Sequence, residues 1–292
     1  MINVILGVLG ALTGWFAIIF GKDLHEHKDN LENNSAVKSG LIGATTNFFD
    51  ALGIGSFAPT TTLLRTFKQV EDRVIPGTLN VSCTIPVVLE AFIFITVIEV
   101  ETVTLISMLA AATLGAYLGA GIIAKMDETK IQLIMGIALI ITAGLMLAGQ
   151  QGWMPVGGEA IGLSGTKLVL GVIGNFILGA LMTAGIGLYA PCMALIYMLG
   201  MSSRVAFPIM MGSCAFLMPV ASIKFVKEQA YNKKASIAIT IGGIFGVIIA
   251  TQIVKSLPLN ILTYLVIGIV TYTGGSMLYS ATKDDGSAKK AA

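Results

Sequence analysis

Apolar runs of about membrane-span length alternate with short charged stretches along the chain. After an uncharged first run, Met1–Phe20, they fall at 39–64, 75–98, 102–124, 131–149, 168–200, 205–226, 235–254 and 258–281. About twenty apolar residues cross a hydrocarbon core, so the pattern predicts an all-α polytopic membrane protein. Clusters such as Lys125-Met-Asp-Glu-Thr-Lys130 and Lys227–Lys234 read as loops. A glycine-rich linker, Gln150 to Lys167, divides the chain near its middle. The first run lacks a basic leader and a small-x-small cleavage site, so it is expected to stay as a span.

Two runs differ from plain spans. One contains Gly53-Ile-Gly55-Ser-Phe-Ala-Pro59 and the other Gly185-Ile-Gly187-Leu-Tyr-Ala-Pro191. Glycine and proline interrupt a helix, so each run is either one broken helix or a re-entrant hairpin. Loop charge discriminates between these under the positive-inside rule. If both runs cross, the 18 Lys and Arg divide 7 against 11. If both are hairpins, only Lys167, Arg204 and Lys255 lie on one side, leaving 15 on the other. The hairpin arrangement is therefore expected, with seven crossing helices, the N-terminus outside and the C-terminus in the cytoplasm.

The halves are also related in sequence. Gly40-Leu-Ile-Gly43 matches Gly171-Val-Ile-Gly174, and the two Gly-Ile-Gly-x-x-Ala-Pro runs follow. Arg73-Val74 then matches Arg204-Val205, Ser82-Cys83 matches Ser213-Cys214, and Pro86-Val87 matches Pro219-Val220. The offset stays within 131–133. A unit of one hairpin and three crossings turns its second copy upside down. The expected organisation is an N-terminal helix and polar loop (1–37), a first repeat (38–149), a linker (150–166), a second repeat (167–282) and a polar tail (283–292). Inverted repeats with breaks at corresponding positions are an architecture of secondary transporters, and the breaks mark the binding site. The plainer reading is that these glycines only permit close helix packing.

Composition agrees with a membrane protein: 55 % of residues are hydrophobic and 12 % charged, against about a quarter charged in soluble domains. A net charge of +2 gives no reason to expect a nucleic-acid partner. Cys83, Cys192 and Cys214 lie in apolar runs without paired spacing, and His25 and His27 flank Glu26 in a polar loop. None of these implies a disulfide, metal or cofactor.

The two broken modules, carried by Gly53, Gly55 and Pro59 and by Gly185, Gly187 and Pro191, resemble the sulfite exporter TauE/SafE family of bacterial membrane permeases. Here Ser56 and Leu188 follow the second glycine, where many members have a denser glycine cluster. The resemblance implies transport, often export, of sulfite or small organosulfonates such as sulfoacetate, across the bacterial inner membrane.

An anion near the midplane needs fixed donors in place of water, and the N-termini of broken helices offer free N–H groups. Candidate substrate-binding residues are Gly53, Gly55, Ser56, Thr60, Ser82 and Cys83, then Gly185, Gly187, Tyr189, Ser213, Cys214 and Lys224. Thr61 is a further hydroxyl donor. Charges inside spans are costly unless paired or hydrated. Asp50, Glu90 and Asn47 are therefore the candidates for coupling to a proton or sodium ion. Glu90 lies four residues after Pro86 and Lys224 five after Pro219. They read either as a central ion pair or as a coupling carboxylate beside an anion-attracting amine. The chain has no Walker A sequence and no His-Glu-x-x-His or other nucleophile-and-base motif. A secondary anion transporter, as monomer or homodimer in a lipid bilayer, is the expected function. A channel, an intramembrane enzyme and an insertase-like protein are the alternatives.

Overall fold

The computed structural model describes residues 2–94, 100–153, 157–253 and 259–291. Among them the chain is helical, in the order α1 (Ile2–Glu26), α2 (Ala36–Asp50), α3 (Phe57–Thr66), α4 (Ile75–Phe94), α5 (Thr102–Ile123), α6 (Glu128–Gln150), α7 (Gly165–Met182), α8 (Tyr189–Met198), α9 (Ser203–Lys227), α10 (Lys233–Ile253) and α11 (Leu259–Ala291). A short 3₁₀ turn, Asp72–Val74, leads into α4.

Polar residues at the edges of the apolar runs start the helices. Ser35, Glu101, Asp127 and Ser202 each accept from a first-turn N–H and cap α2, α5, α6 and α9. At Glu101 the Thr104 hydroxyl, then two N–H groups, hold the carboxyl below its ordinary range. The same Thr104 oxygen accepts from Leu163 N–H at 2.8 Å, tying the central linker to the start of α5.

Seven helices among the described residues are long and apolar enough to cross a bilayer. The number matches expectation, but the set differs. Gly165–Met182, the first leg of the second broken run, reaches span length. The expected last span, 258–281, begins outside the described residues.

Both broken runs return to the end of the bundle from which they start. Beside the first, Ser35 N–H, just before α2, donates to the Gln69 side chain, just after α3, at 3.0 Å. Beside the second, the Lys167 amine at the start of α7 lies 3.4 Å from where a Cβ on Gly200, just past α8, would stand. The runs are hairpins: α2–α3 and α7–α8.

The two mouths face opposite ends. At the first, Arg65 on α3 grips Asp72 before α4 at 3.1 Å and Ser276 and Ser280 on α11 at 2.8 and 2.7 Å. Gln132 at the start of α6 donates to Asp72 at 3.0 Å. Near the end of α1, Asp23 accepts from Gln229 and Tyr231 in the α9–α10 loop. The second mouth lies with the start of α5 and the linker. There Glu101 N–H reaches Ile161 O at 2.9 Å, and Ser202 N–H reaches Ala160 O at 2.8 Å. Because α5, α6 and α9 each run from one set of contacts to the other, these are the two ends of one bundle.

Packing follows the same exchange. The first leg of each hairpin lies on the fourth helix of the other half, α2 on α10 and α7 on α5, while α4 packs on α9 and α6 on α11. Swapping the halves reproduces the pattern. Small residues allow the closest approaches. A Cβ on Gly242 or Gly246 of α10 would stand 2.0 or 2.1 Å from a carbonyl oxygen of α2. On α5, a Cβ at Gly115 would stand 2.0 Å from Phe176 O of α7, and one at Gly119 would stand 2.7 Å from Ala180 O. Both helices thus carry Gly-x-x-x-Gly against the opposing hairpin.

Candidate functional site

The break after α2 is made by backbone chemistry. Gly53 has φ +86°, its N–H bonds to Asp50 O at 2.8 Å, and Ile54 N–H bonds to Phe49 O at 3.1 Å. That pair of bonds around a left-handed residue is the Schellman termination, which favours glycine. Gly185 ends α7 with the first of these bonds, at φ +94° and with its N–H on Met182 O at 3.0 Å. Four residues later α3 and α8 begin, with no side chain capping either N-terminus. Pro59 and Pro191 occupy the third helical position, where a missing N–H costs no hydrogen bond. Among the described residues, two first-turn N–H groups at each tip have no backbone acceptor: Phe57 and Ala58 on α3, Tyr189 and Ala190 on α8.

The tips meet inside the bundle. Asp50, Gly55, Ser56 and Phe57 from the first face Met182, Gly187, Leu188 and Tyr189 from the second, with Val87 of α4 and Cys214 of α9 closing the sides. The cavity between them is about 20 Å³. That is room for about one water molecule.

The tips differ in charge. Asp50, 2 % exposed, accepts from the Ser56 hydroxyl at 2.8 Å and from the Ser56 backbone N–H, so a carboxyl already occupies the N-terminal end of α3. The position matching Asp50 at an offset of 132 is Met182, so α8 begins without an acid. Tyr189 instead donates to Glu90 Oε2 at 3.2 Å, while Glu90 Oε1 has no hydrogen-bond partner. Among the described residues, no Lys, Arg or His lies within 4.0 Å of Asp50 or Glu90.

Of the residues singled out from sequence, Asp50, Gly55, Ser56, Gly187, Tyr189 and Cys214 line this cavity, and Gly53 and Gly185 shape its tips. Cys83 lies beside Ser56 and Asn47. The Asn47 amide donates to Gly43 O at 2.9 Å, leaving its carbonyl oxygen unpartnered. Thr60 turns away to Thr46 at 2.8 Å, and Thr61 bonds its own helix at Phe57 O. Ser82 faces Cys83 at 3.7 Å, and its backbone oxygen, deprived of a donor by Pro86, accepts from Thr240 of α10 at 2.8 Å. Asn175 of α7 holds Ser213 at 2.8 Å, and donates equally closely to Met108 O. Sequence reading passed over Asn175, although a buried amide in an apolar run was the available signal.

Lys224 is placed elsewhere, and the central Glu90–Lys224 pair does not form. α4 and α9 run antiparallel, as Thr78 beside Asn232 and Thr84 beside Ser222 show at 3.0 and 2.9 Å. Glu90 therefore lies fifteen residues into α4 from the first mouth, whereas Lys224 lies three residues from that end of α9. At 1.5 Å per residue they are separated in depth by about 18 Å. The Lys224 amine sits 4.9 Å over the Tyr117 ring. A roomier polar cavity, about 700 Å³, opens at the first mouth beside Arg65, Lys68, Asp72, Tyr231 and Lys233, but the start of α10 on its wall is already occupied by Glu32, which accepts from the Lys233 and Lys234 N–H groups at 2.8 and 3.0 Å.

Two broken-helix hairpins meeting on buried polar groups define a membrane transport protein. The chain belongs to the sulfite exporter TauE/SafE family: that family's model matches residues 1–146, half of the chain. No curated protein and no solved structure matches it.

Proposed function

We propose that the protein is a secondary transporter of sulfite or a small organosulfonate, coupled to protons through Asp50 and Glu90. One observation carries this reading: two hairpin tips, reached from opposite ends of the bundle, enclose a small, largely apolar cavity beside a buried acid that has no cation partner among the described residues. The repeats 38–149 and 167–282 act as inverted units, the architecture in which two related halves alternate access to one central site. A cavity of about 20 Å³ excludes a sulfite ion, so the arrangement is the closed intermediate of such a cycle. The anion is received when the tips separate, by the free N–H groups of α8 and by Ser56, with Gly55 and Gly187 allowing backbone approach. Cys83, Cys214, Ser82 and Ser213 form the supporting walls.

A carboxylate at this place would repel the anion and lacks a counter-charge. Asp50 therefore takes a proton as the anion enters, and the two move together. Glu90, reached through Tyr189, is the second proton carrier, and Asn47, whose carbonyl oxygen is unpartnered, belongs with Asp50 to the coupling group. The positive-inside rule supports a reading in which the charge-rich first mouth faces the cytoplasm of a bacterial inner membrane and the N-terminus lies outside. Export is the direction implied by the family.

The test is labelled sulfite flux in proteoliposomes with and without an imposed pH gradient. Wild-type protein is expected to concentrate sulfite or sulfoacetate with the proton gradient. Asp50→Asn, which keeps the hydrogen-bonding shape, is expected to retain exchange at equal concentrations and lose concentrative uptake. Flux indifferent to the gradient in wild type would remove the coupling, and no flux of either anion would remove the substrate class. Conductance far above carrier turnover would favour a channel.

A further inference from the structure

Lys224 is not needed at the hairpin tips, and its surroundings point to another ligand. α1 and α5 both pack on α9, with a groove of about 330 Å³ between them. Val220 and Ile223 form its floor, Trp15 of α1 and Tyr117 of α5 its walls, and Lys224 and Lys227 its charged end. Trp15 is 51 % and Tyr117 48 % exposed, and Ile18, Leu114 and Leu118 continue the exposed apolar surface on either side. The groove thus opens onto the lipid-facing surface.

Its electrostatics are unbalanced. Glu228, the acid at its rim, is engaged by Lys125 at 3.4 Å. Among the described residues, neither Lys224 nor Lys227 has a carboxylate within 4.0 Å. Lys224 rests on the Tyr117 ring, one helical turn from Gly121, where a Cβ would stand 3.4 Å from the amine. The missing side chain leaves the amine open on that flank. Two amines without a carboxylate partner at a span end attract an anion, and a groove with apolar floor and aromatic walls favours one attached to hydrocarbon.

We infer that this groove binds one acidic phospholipid, its phosphate on Lys224 and Lys227 and its acyl chains against Trp15, Val220 and Tyr117. The site is independent of the transport cavity and of its substrate. A free anion would meet the same amines but would not use the apolar walls, and this separates the two sources experimentally.

The experiment is thermal unfolding and native mass spectrometry of the full chain in neutral detergent, with phosphatidylglycerol, phosphatidylcholine or inorganic phosphate added. Phosphatidylglycerol is expected to raise the melting temperature and leave one retained lipid, phosphatidylcholine and phosphate to do neither. Lys224→Met and Lys227→Gln are each expected to weaken phosphatidylglycerol retention about fivefold, at the usual strength of one basic side chain near a lipid surface. Gly121→Leu, which keeps both charges and fills the flank beside the amine, is expected to weaken it as well. Lys227 is exposed, so its variant tests the idea even if Lys224→Met fails to fold. Equal retention of both lipids, unchanged preference in the Lys227 variant, or stabilisation by phosphate alone would overturn the assignment.

Discussion

Gly187→Leu is expected to yield a protein that inserts and purifies with only a modest loss of melting temperature but moves sulfite no faster than protein-free vesicles. Gly187 lines the closed cavity, has no positive φ, and would carry a Cβ with no atom within 4 Å. The backbone and Cβ therefore meet neither strain nor a clash, and only the outer carbons of the side chain, projecting into the space between the hairpin tips, must displace their neighbours. Its four carbons exceed a cavity of about 20 Å³ and cover the backbone at the start of α8. Gly185→Leu, two residues earlier, should behave differently. There φ is +94° and a Cβ would stand 2.6 Å from Met135 Cε. Left-handed strain costs about 1–2 kcal/mol and overpacking about 1–3 kcal/mol more. That variant should lose stability together with flux. Melting curves beside flux measurements separate them. Normal flux through folded Gly187→Leu would mean that the anion does not pass between the tips.

The hairpins were legible because two weak signals agreed. Gly-Ile-Gly-x-x-Ala-Pro marked where the helices break, and the basic residues fell to one side only if each break reverses the chain. Pairing was harder to read. Glu90 and Lys224 hold corresponding places in their repeats, and in a structure whose halves exchange, corresponding places lie at mirrored depths instead of facing one another. Proximity to Pro86 and Pro219 measured distance along each helix and not height in the bundle. Cavity walls such as Val87, Met182 and Leu188 are apolar in an apolar chain, so only the fold distinguishes them. Asn175 was visible as a polar residue, but its contact with Ser213 joins α7 to α9 across 38 positions of sequence. The paired Gly-x-x-x-Gly segments escaped for a simpler reason. Gly115 and Gly119 match Gly242 and Gly246 at an offset of 127, outside the 131–133 of the other matches.

Those segments carry the other large effect: Gly115→Leu and Gly242→Leu are each expected to leave almost no folded protein in detergent extracts, measured as the monodisperse fraction of a fluorescent fusion. A Cβ at either position would stand 2.0 Å from a backbone carbonyl oxygen of the opposing hairpin leg, where no rotamer change relieves the contact. The two helices must separate, and separation also lifts their neighbours, Gly119 from Ala180 and Gly246 from Ala44. In lipid, helix association depends on such close packing because there is little hydrophobic drive to replace it. Gly14→Leu on α1, with no atom within 4 Å of its Cβ, is the control that should extract normally. If all three extract alike, these contacts do not hold the hairpins in place. If only the control survives, each transport tip is anchored by the opposite half of the chain, and rocking one half against the other must move its partner's hairpin with it.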